Sequence, residues 1–256
     1  IVLNEATKAD FARMVADCRA AHRGANGDDS DLLFGLQLTH SGRYSYRRPI
    51  IATRDPLLVG RYKVTADTPL ITDDELKRLV DAYVATAKLA VEVGFDFLDV
   101  KQCHRYLLNE FLGARNRPGP YGGSYENRTR LAREVFQAVR AAVPANVILA
   151  TRMNAFDSIP FNPPGEPVPH TLPLLNGWGM SDTDPFTPDL TEPLRWVADM
   201  QTLGVTLVNL TMGNPYAQPH FGRPAEYPPP DGYESPEHPL IGVDRHFRAA
   251  EAVQRA

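Results

Sequence analysis

The chain has 256 residues, 43% of them hydrophobic, and a formal net charge of −4. A balanced charge gives no basic footprint for nucleic acid, and no apolar run approaches the roughly 20 residues that a membrane helix needs. Cys18 and Cys103 make no disulfide framework and suit a reducing compartment, so a cytoplasmic protein is expected.

From the N-terminus, Thr7 to His22 reads as a helix with Phe11, Met14, Val15 and Cys18 on one face. Leu32 to Leu38 reads as a strand, followed by His40, Gly42 and Arg43 and by an irregular segment to Leu70. Thr72 and Glu75 have the spacing of a capping box, and open a helix striped by Leu76, Leu79, Val80, Tyr83, Val84, Ala87 and Val91. A second strand runs from Phe95 to Val100 and breaks into Lys101, Gln102, Cys103, His104, Arg105 and Tyr106. After a Gly- and Pro-rich loop, Ser124 is placed to cap a helix carrying Leu131, Val135 and Val139. A third strand, Val147 to Thr151, ends at Arg152 and leads into a proline-rich loop. A helix near Thr191 turns Leu194, Val197, Met200 and Leu203 inward. A fourth strand, Val205 to Leu210, precedes Thr211, Gly213 and a second proline-rich loop, and a final helix starts near Asp244.

Strands that alternate with helices give a parallel sheet with the helices outside. The long loops follow strands and the short turns precede them, as in an α/β protein of the (β/α)8 TIM-barrel type, where βα loops build the active site. Four strands make only a partial barrel. The chain begins at Ile1 and stops within a helical pattern, so residues 1–256 are read as an excised piece, the central part of a single domain.

The stretch from Lys101 through His104, Tyr106 and Leu107 to Tyr-Gly-Gly-Ser-Tyr-Glu-Asn-Arg at 121–128 resembles the Old Yellow Enzyme family of FMN-dependent NADH:flavin oxidoreductases. The resemblance implies bound FMN, NAD(P)H as reductant, and a small-molecule substrate with an electron-poor double bond. It also implies that this chain carries the flavin-ring and substrate half of the site, because the FMN phosphate is usually held by loops after later strands.

Site residues follow from the same resemblance. Gln37 matches the family glutamine whose amide, a donor and an acceptor, reads the flavin pyrimidine edge. Arg152 matches the arginine beside flavin N1 and O2, where it offsets negative charge. Arg43 either touches the flavin edge or holds its loop. His104 is placed to donate to the substrate oxygen, and Tyr106 to supply the proton as a general acid. Lys101 stands where the family usually has histidine. It can still donate to an oxyanion, but its length and charge alter substrate preference. Arg105 replaces a glycine and is expected to narrow the pocket. Trp178 is either part of a cover or a buried anchor. No metal site is read, and association into a homo-oligomer stays open. Two further readings remain: a Schiff-base lyase using Lys101, and a non-catalytic flavin-fold binding protein.

Overall fold

The computed structural model describes residues 2–163, 165–227 and 233–256; Pro164 of the first proline-rich loop and residues 228–232 of the second lie outside them. In chain order the elements are α1 (Lys8–Asn26), β1 (Gly35–Leu38), a 3-10 turn (Gly42–Tyr44), α2 (Asp73–Glu92), β2 (Phe97–Gln102), α3 (Leu107–Leu112) and α4 (Tyr125–Ala142). They continue with β3 (Ile148–Phe156), β4 (Phe161–Asn162), β5 (Glu166–Pro167), α5 (Thr191–Thr202), β6 (Val205–Met212), α6 (Pro219–Gly222) and α7 (Pro239–Arg255).

Strands β1, β2, β3 and β6 form one parallel sheet in that order. Strand order therefore follows chain order with no reversal. A doubly wound sheet reverses at a switch point, whereas a (β/α)8 barrel adds each strand beside the last. The fold is α/β, and the sheet is a four-stranded part of such a barrel. Strands β4 and β5 make a small antiparallel hairpin inside the first proline-rich loop.

The pleat divides the sheet into two faces. Leu98, Val100, Leu149 and Met153 point to the helices and are buried with Leu76, Leu131, Val135 and Trp196. Gln102 shares that face; its amide donates to Thr151 Oγ1 at 2.8 Å and accepts from Trp196 Nε1 at 3.1 Å, so this polar group is satisfied inside the core. The other face carries Gln37, Asp99, Lys101, Arg152 and Asn209. There Leu207 is 51% exposed, so this face is open rather than filled. Apolar grooves of about 480 and 350 Å³ run along the two free edges, beside β6 and α7 and beside β1 and α2.

Several boundaries differ from the sequence reading. Strand β3 runs on to Phe156, so Arg152 lies within a strand and not at its end. Helix α7 begins at Pro239, because His238 caps it through Leu240 N at 3.2 Å and proline is favoured at a first helical position. Helix α3 occupies a stretch read as loop. On α1, Met14 and Cys18 are exposed; the inward face is Phe11, Ala12 and Val15, and Arg19 Nη2 reaches Asp96 Oδ2 at 2.6 Å.

The octet at 121–128 is a clamp. Ser124 caps α4 through Asn127 N at 3.3 Å, and Tyr125 Oη donates to Asp199 Oδ2 at 2.6 Å. Arg128 donates to the carbonyls of Leu112 and Gly123 and to Glu192 Oε1. These bonds lock α4 to α3 and α5. Among the described residues no helix is long and apolar enough to cross a membrane.

Candidate active site

Lys101 and Arg152 are register partners on β2 and β3, with Asn209 of β6 beside Arg152. One pleat repeat earlier on the same face, Gln37 and Asp99 are partners across β1 and β2, and Gln37 Nε2 donates to Asp99 Oδ2 at 2.7 Å. At the C-terminal edge of β2 the chain turns sharply. His104 and Arg105 both have left-handed backbones, with φ of 63° and 56°. Each such residue costs about 1–2 kcal/mol outside glycine, so the surroundings must hold the turn.

Its supports are buried and polar. Asn154, two residues after Arg152 on β3, accepts from His104 N at 3.3 Å. Asn109 of α3 accepts from Arg105 N at 2.6 Å. Both asparagines donate to Asp157 Oδ1, at 2.8 and 3.1 Å, and Trp178 N donates to Asp157 Oδ2 at 3.0 Å. The Arg105 guanidinium lies 3.2 Å from Asp157 and 3.7 Å from Asp55. Arg105 thus stays in the loop core, tied to two buried acids, instead of extending over the pocket as expected. Trp178 is fully buried and donates Nε1 to Asn154 O at 3.0 Å, which makes it an anchor and not a cover.

The turn presents His104 and Tyr106 beside the sheet edge. Lys101 Nζ lies 3.6 Å from the centre of the Tyr106 ring, and the His104 and Tyr106 rings are 6.4 Å apart. Tyr106 Oη meets Tyr216 Oη at 3.0 Å. Tyr44 stacks on Tyr216 at 4.6 Å, and its hydroxyl accepts from Asn214. Tyr62 completes this wall of rings, 5.2 Å from Tyr44.

Burial sets the charge states here. Burial, followed by the cations Lys101, Arg152 and Arg223, pushes His104 down to about 3. His104 is therefore a neutral imidazole with one N–H to give. Burial and then the bond to Tyr216 raise the Tyr106 phenol, so it keeps its proton. Burial pushes the Cys103 thiol up to about 12, which leaves it inert as a nucleophile. Burial and, less strongly, Arg152 lower the Lys101 ammonium.

Lys101, His104, Tyr106 and Arg152 are brought together, with Gln37 one row away. Arg43 is elsewhere: it is buried in an ion pair with Glu110 of α3 and fastens the loop after β1 to the loop after β2. Asp99, Asn154, Tyr44, Tyr216 and Arg223 were not singled out from sequence. Only Asn154 left a signal there, since the apolar pattern of β3 continues past Arg152.

A flavin ring fits this face on the structure's own terms. Arg152 Nε and Asp99 Oδ1 are buried without a partner, and the amide of Gln37 and the apolar side chain of Leu207 stand exposed beside them. Such a face suits a flat, partly anionic group with donors and acceptors on its rim. Fold and site together define a flavoenzyme half-barrel.

Residues 28–162 match the NADH:flavin oxidoreductase / NADH oxidase family, and the chain belongs to that family. It is the Old Yellow Enzyme family, one of flavin-dependent NAD(P)H oxidoreductases with FMN as cofactor. The chain is similar to NADPH dehydrogenase of Clostridium acetobutylicum, 37% identical over 125 residues, covering 48% of this chain and 36% of the relative. It is also similar to 12-oxophytodienoate reductase 1 of Oryza sativa subsp. japonica, 34% identical over 144 residues, covering 50% and 38%. The chain thus spans little more than a third of these relatives. Among solved structures, morphinone reductase in complex with tetrahydroNAD gives a TM-score of 0.58 at 21% identity, covering 82% of this chain and 55% of that one. The complex of 2-naphthoyl-CoA reductase with 2-naphthoyl-CoA gives 0.60 at 20%, covering 84% and 30%. At such identities the likeness is one of fold.

Proposed function

We propose that the protein is an FMN-dependent oxidoreductase that takes hydride from NAD(P)H and reduces the electron-poor double bond of a small molecule. The observation that carries this reading is the cluster of Lys101, His104 and Tyr106 beside Arg152 at the C-terminal edge of the sheet. Residues 1–256 are read as the central part of one FMN-binding barrel domain, in keeping with the share of the relatives' length that they cover.

Gln37 and Arg152 would hold the flavin ring, and bound FMN supplies the hydride chemistry. Neutral His104 donates to the substrate oxygen and draws electrons from the β-carbon. A neutral donor suits this role because it needs no proton exchange during the reaction. Tyr106 holds a proton that an enolate-like carbon takes up as charge develops there. Net, NAD(P)H, a proton and the alkene become NAD(P)+ and the saturated product.

The test separates the two half-reactions. In Tyr106→Phe, flavin reduction by NAD(P)H stays close to the parent rate while reoxidation by an activated alkene slows about 10²–10⁴-fold. Equal reoxidation rates in both proteins remove Tyr106 from the reaction, and a full-length protein that takes up no FMN removes the reading itself. Family membership supports flavin chemistry over the Schiff-base lyase.

A further inference from the structure

Buried cations elsewhere in this protein come with an acid. Arg43 has Glu110, Arg105 has Asp157 and Asp55, Arg117 has Asp73, and Arg128 has Glu192. The site breaks that pattern. Lys101 is only 8% exposed and, among the described residues, its ammonium meets the face of the Tyr106 ring and no carboxylate. Arg152, its register partner, likewise makes no ion pair with a carboxylate among the described residues, and its Nε is buried and unbonded, as are those of Arg43 and Arg117. Like charges side by side on a sheet destabilise it, and a buried charge without a partner costs more. Arg223 adds a third positive charge that reaches His104. The acid whose charge reaches Lys101 is Asp99, which makes no ion pair with it: Asp99 Oδ2 accepts from Gln37, and Oδ1 is buried without a partner.

On the reading given under Proposed function, Arg152 faces the flavin ring. That assignment leaves Lys101 as surplus positive charge beside His104. We propose that Lys101 binds the carboxylate of the substrate, and that the substrate class is α,β-unsaturated carboxylic acids. The proposal rests on that reading of the site.

The chemistry gives a reason for a fixed cation. An enone accepts hydride readily with neutral donors on its oxygen. An enoate is already negative and resists hydride until its charge is offset. Lys101 offsets it, and the His104 N–H completes the pair of donors. No bond of the carboxylate changes. Hydride from NAD(P)H enters at the β-carbon, the Tyr106 proton enters at the α-carbon, and the saturated acid leaves.

A matched pair of probes tests this: trans-cinnamate and trans-cinnamaldehyde share a skeleton and differ in charge. Binding to the FMN-loaded full-length protein is read by broadening of the probe's vinyl proton resonances, which requires no turnover; turnover with NAD(P)H is measured in parallel. The parent is expected to favour cinnamate. Lys101→Met should lower the cinnamate-to-cinnamaldehyde affinity ratio by about tenfold or more, the scale of a lost charged hydrogen bond. Lys101→Arg should keep most of it, and circular dichroism should show both variants folded. An unchanged ratio in Lys101→Met overturns the proposal. So does a parent that binds and reduces the aldehyde while leaving the acid unbound, an outcome that leaves the proposed function standing. Lys101-dependent binding of cinnamate without reduction of either probe supports the anion site and removes the proposed reaction.

Discussion

The hydroxyls of Tyr106 and Tyr216 lie 3.0 Å apart, and their rings are nearly parallel, at 9°. One tyrosine follows β2 and the other follows β6. Their contact bridges the mouth of the site across the intervening strand, and Tyr216 remains 46% exposed while Tyr106 is half-buried. Tyr216→Phe keeps the ring and deletes the bond. Since that bond adds to burial in raising the Tyr106 phenol, its loss should bring the phenol down toward the ordinary tyrosine value. A 19F titration of fluorotyrosine at position 106 reads the shift, and an unmoved titration means the hydroxyl contact does not form in solution.

Acid should weaken the fold through His104 and His220. Their folded-state values are depressed to about 3 and about 4, below the ordinary 6.5. The unfolded chain therefore takes up protons first. Stability is complete above about pH 6.5 and is lost as pH falls toward the folded-state values. Urea midpoints measured between pH 7 and 4 should decline, and more shallowly in a His104→Gln, His220→Gln double variant.

Alkali should act through the buried phenols. Tyr44 and Tyr83 are raised by burial, so their stabilising protonated form is fully present below about pH 10 and is lost above it. Urea midpoints should fall above pH 10, and Tyr83→Phe should flatten that limb.

Arg105→Gly restores the residue that the family usually has at a left-handed turn, yet it should destabilise. Glycine relieves about 1–2 kcal/mol of backbone cost, while removing one partner of a buried ion pair costs about 3–5 kcal/mol. The net loss is about 1–4 kcal/mol by denaturant titration. Adding Asp55→Asn should recover part of it, because one stranded carboxylate is removed. A neutral or stabilising Arg105→Gly shows that the acids do not depend on the guanidinium.

Gly35→Ala should also destabilise. A Cβ there would meet the ring of its strand partner Phe97 at 2.1 Å. Overpacking of this kind costs about 1–3 kcal/mol, and Phe97→Leu should rescue it. A single Gly35→Ala protein as stable as the parent shows that the ring swings freely aside.

The order of strands and helices was legible because each element carries its own apolar period: the stripe from Leu76 to Val91 and the run from Phe95 to Val100 needed no partner to be seen. The octet Tyr121 to Arg128 identified the family although its described contacts hold helices together and touch none of the clustered site residues. What escaped was whatever depends on a distant partner. From sequence Arg43 either touches the flavin edge or holds its loop, and only Glu110, far along the chain, ties it to the loop. Tyr44 and Tyr62 come from the irregular segment between β1 and α2 and Tyr216 from the loop after β6, and no spacing rule joins them. Arg152 is placed at a strand end from sequence because its charge interrupts the apolar run, which resumes at Met153, Ala155 and Phe156; in the sheet the amide of Asn154 is satisfied by Asp157 and Gly213.

The match between strand order and chain order also bears on how the molecule is made. Each parallel strand pairs with the one synthesised before it, so a nascent chain can enlarge its sheet one βα unit at a time as it leaves the ribosome. Every pairing still waits for a whole helix to fold back first, as between Leu38 and Phe97, which places assembly among the slower, non-local topologies. Until the next unit arrives, the newest strand is an unpaired edge, and it is at that moment that the growing polypeptide is most open to capture by a neighbour.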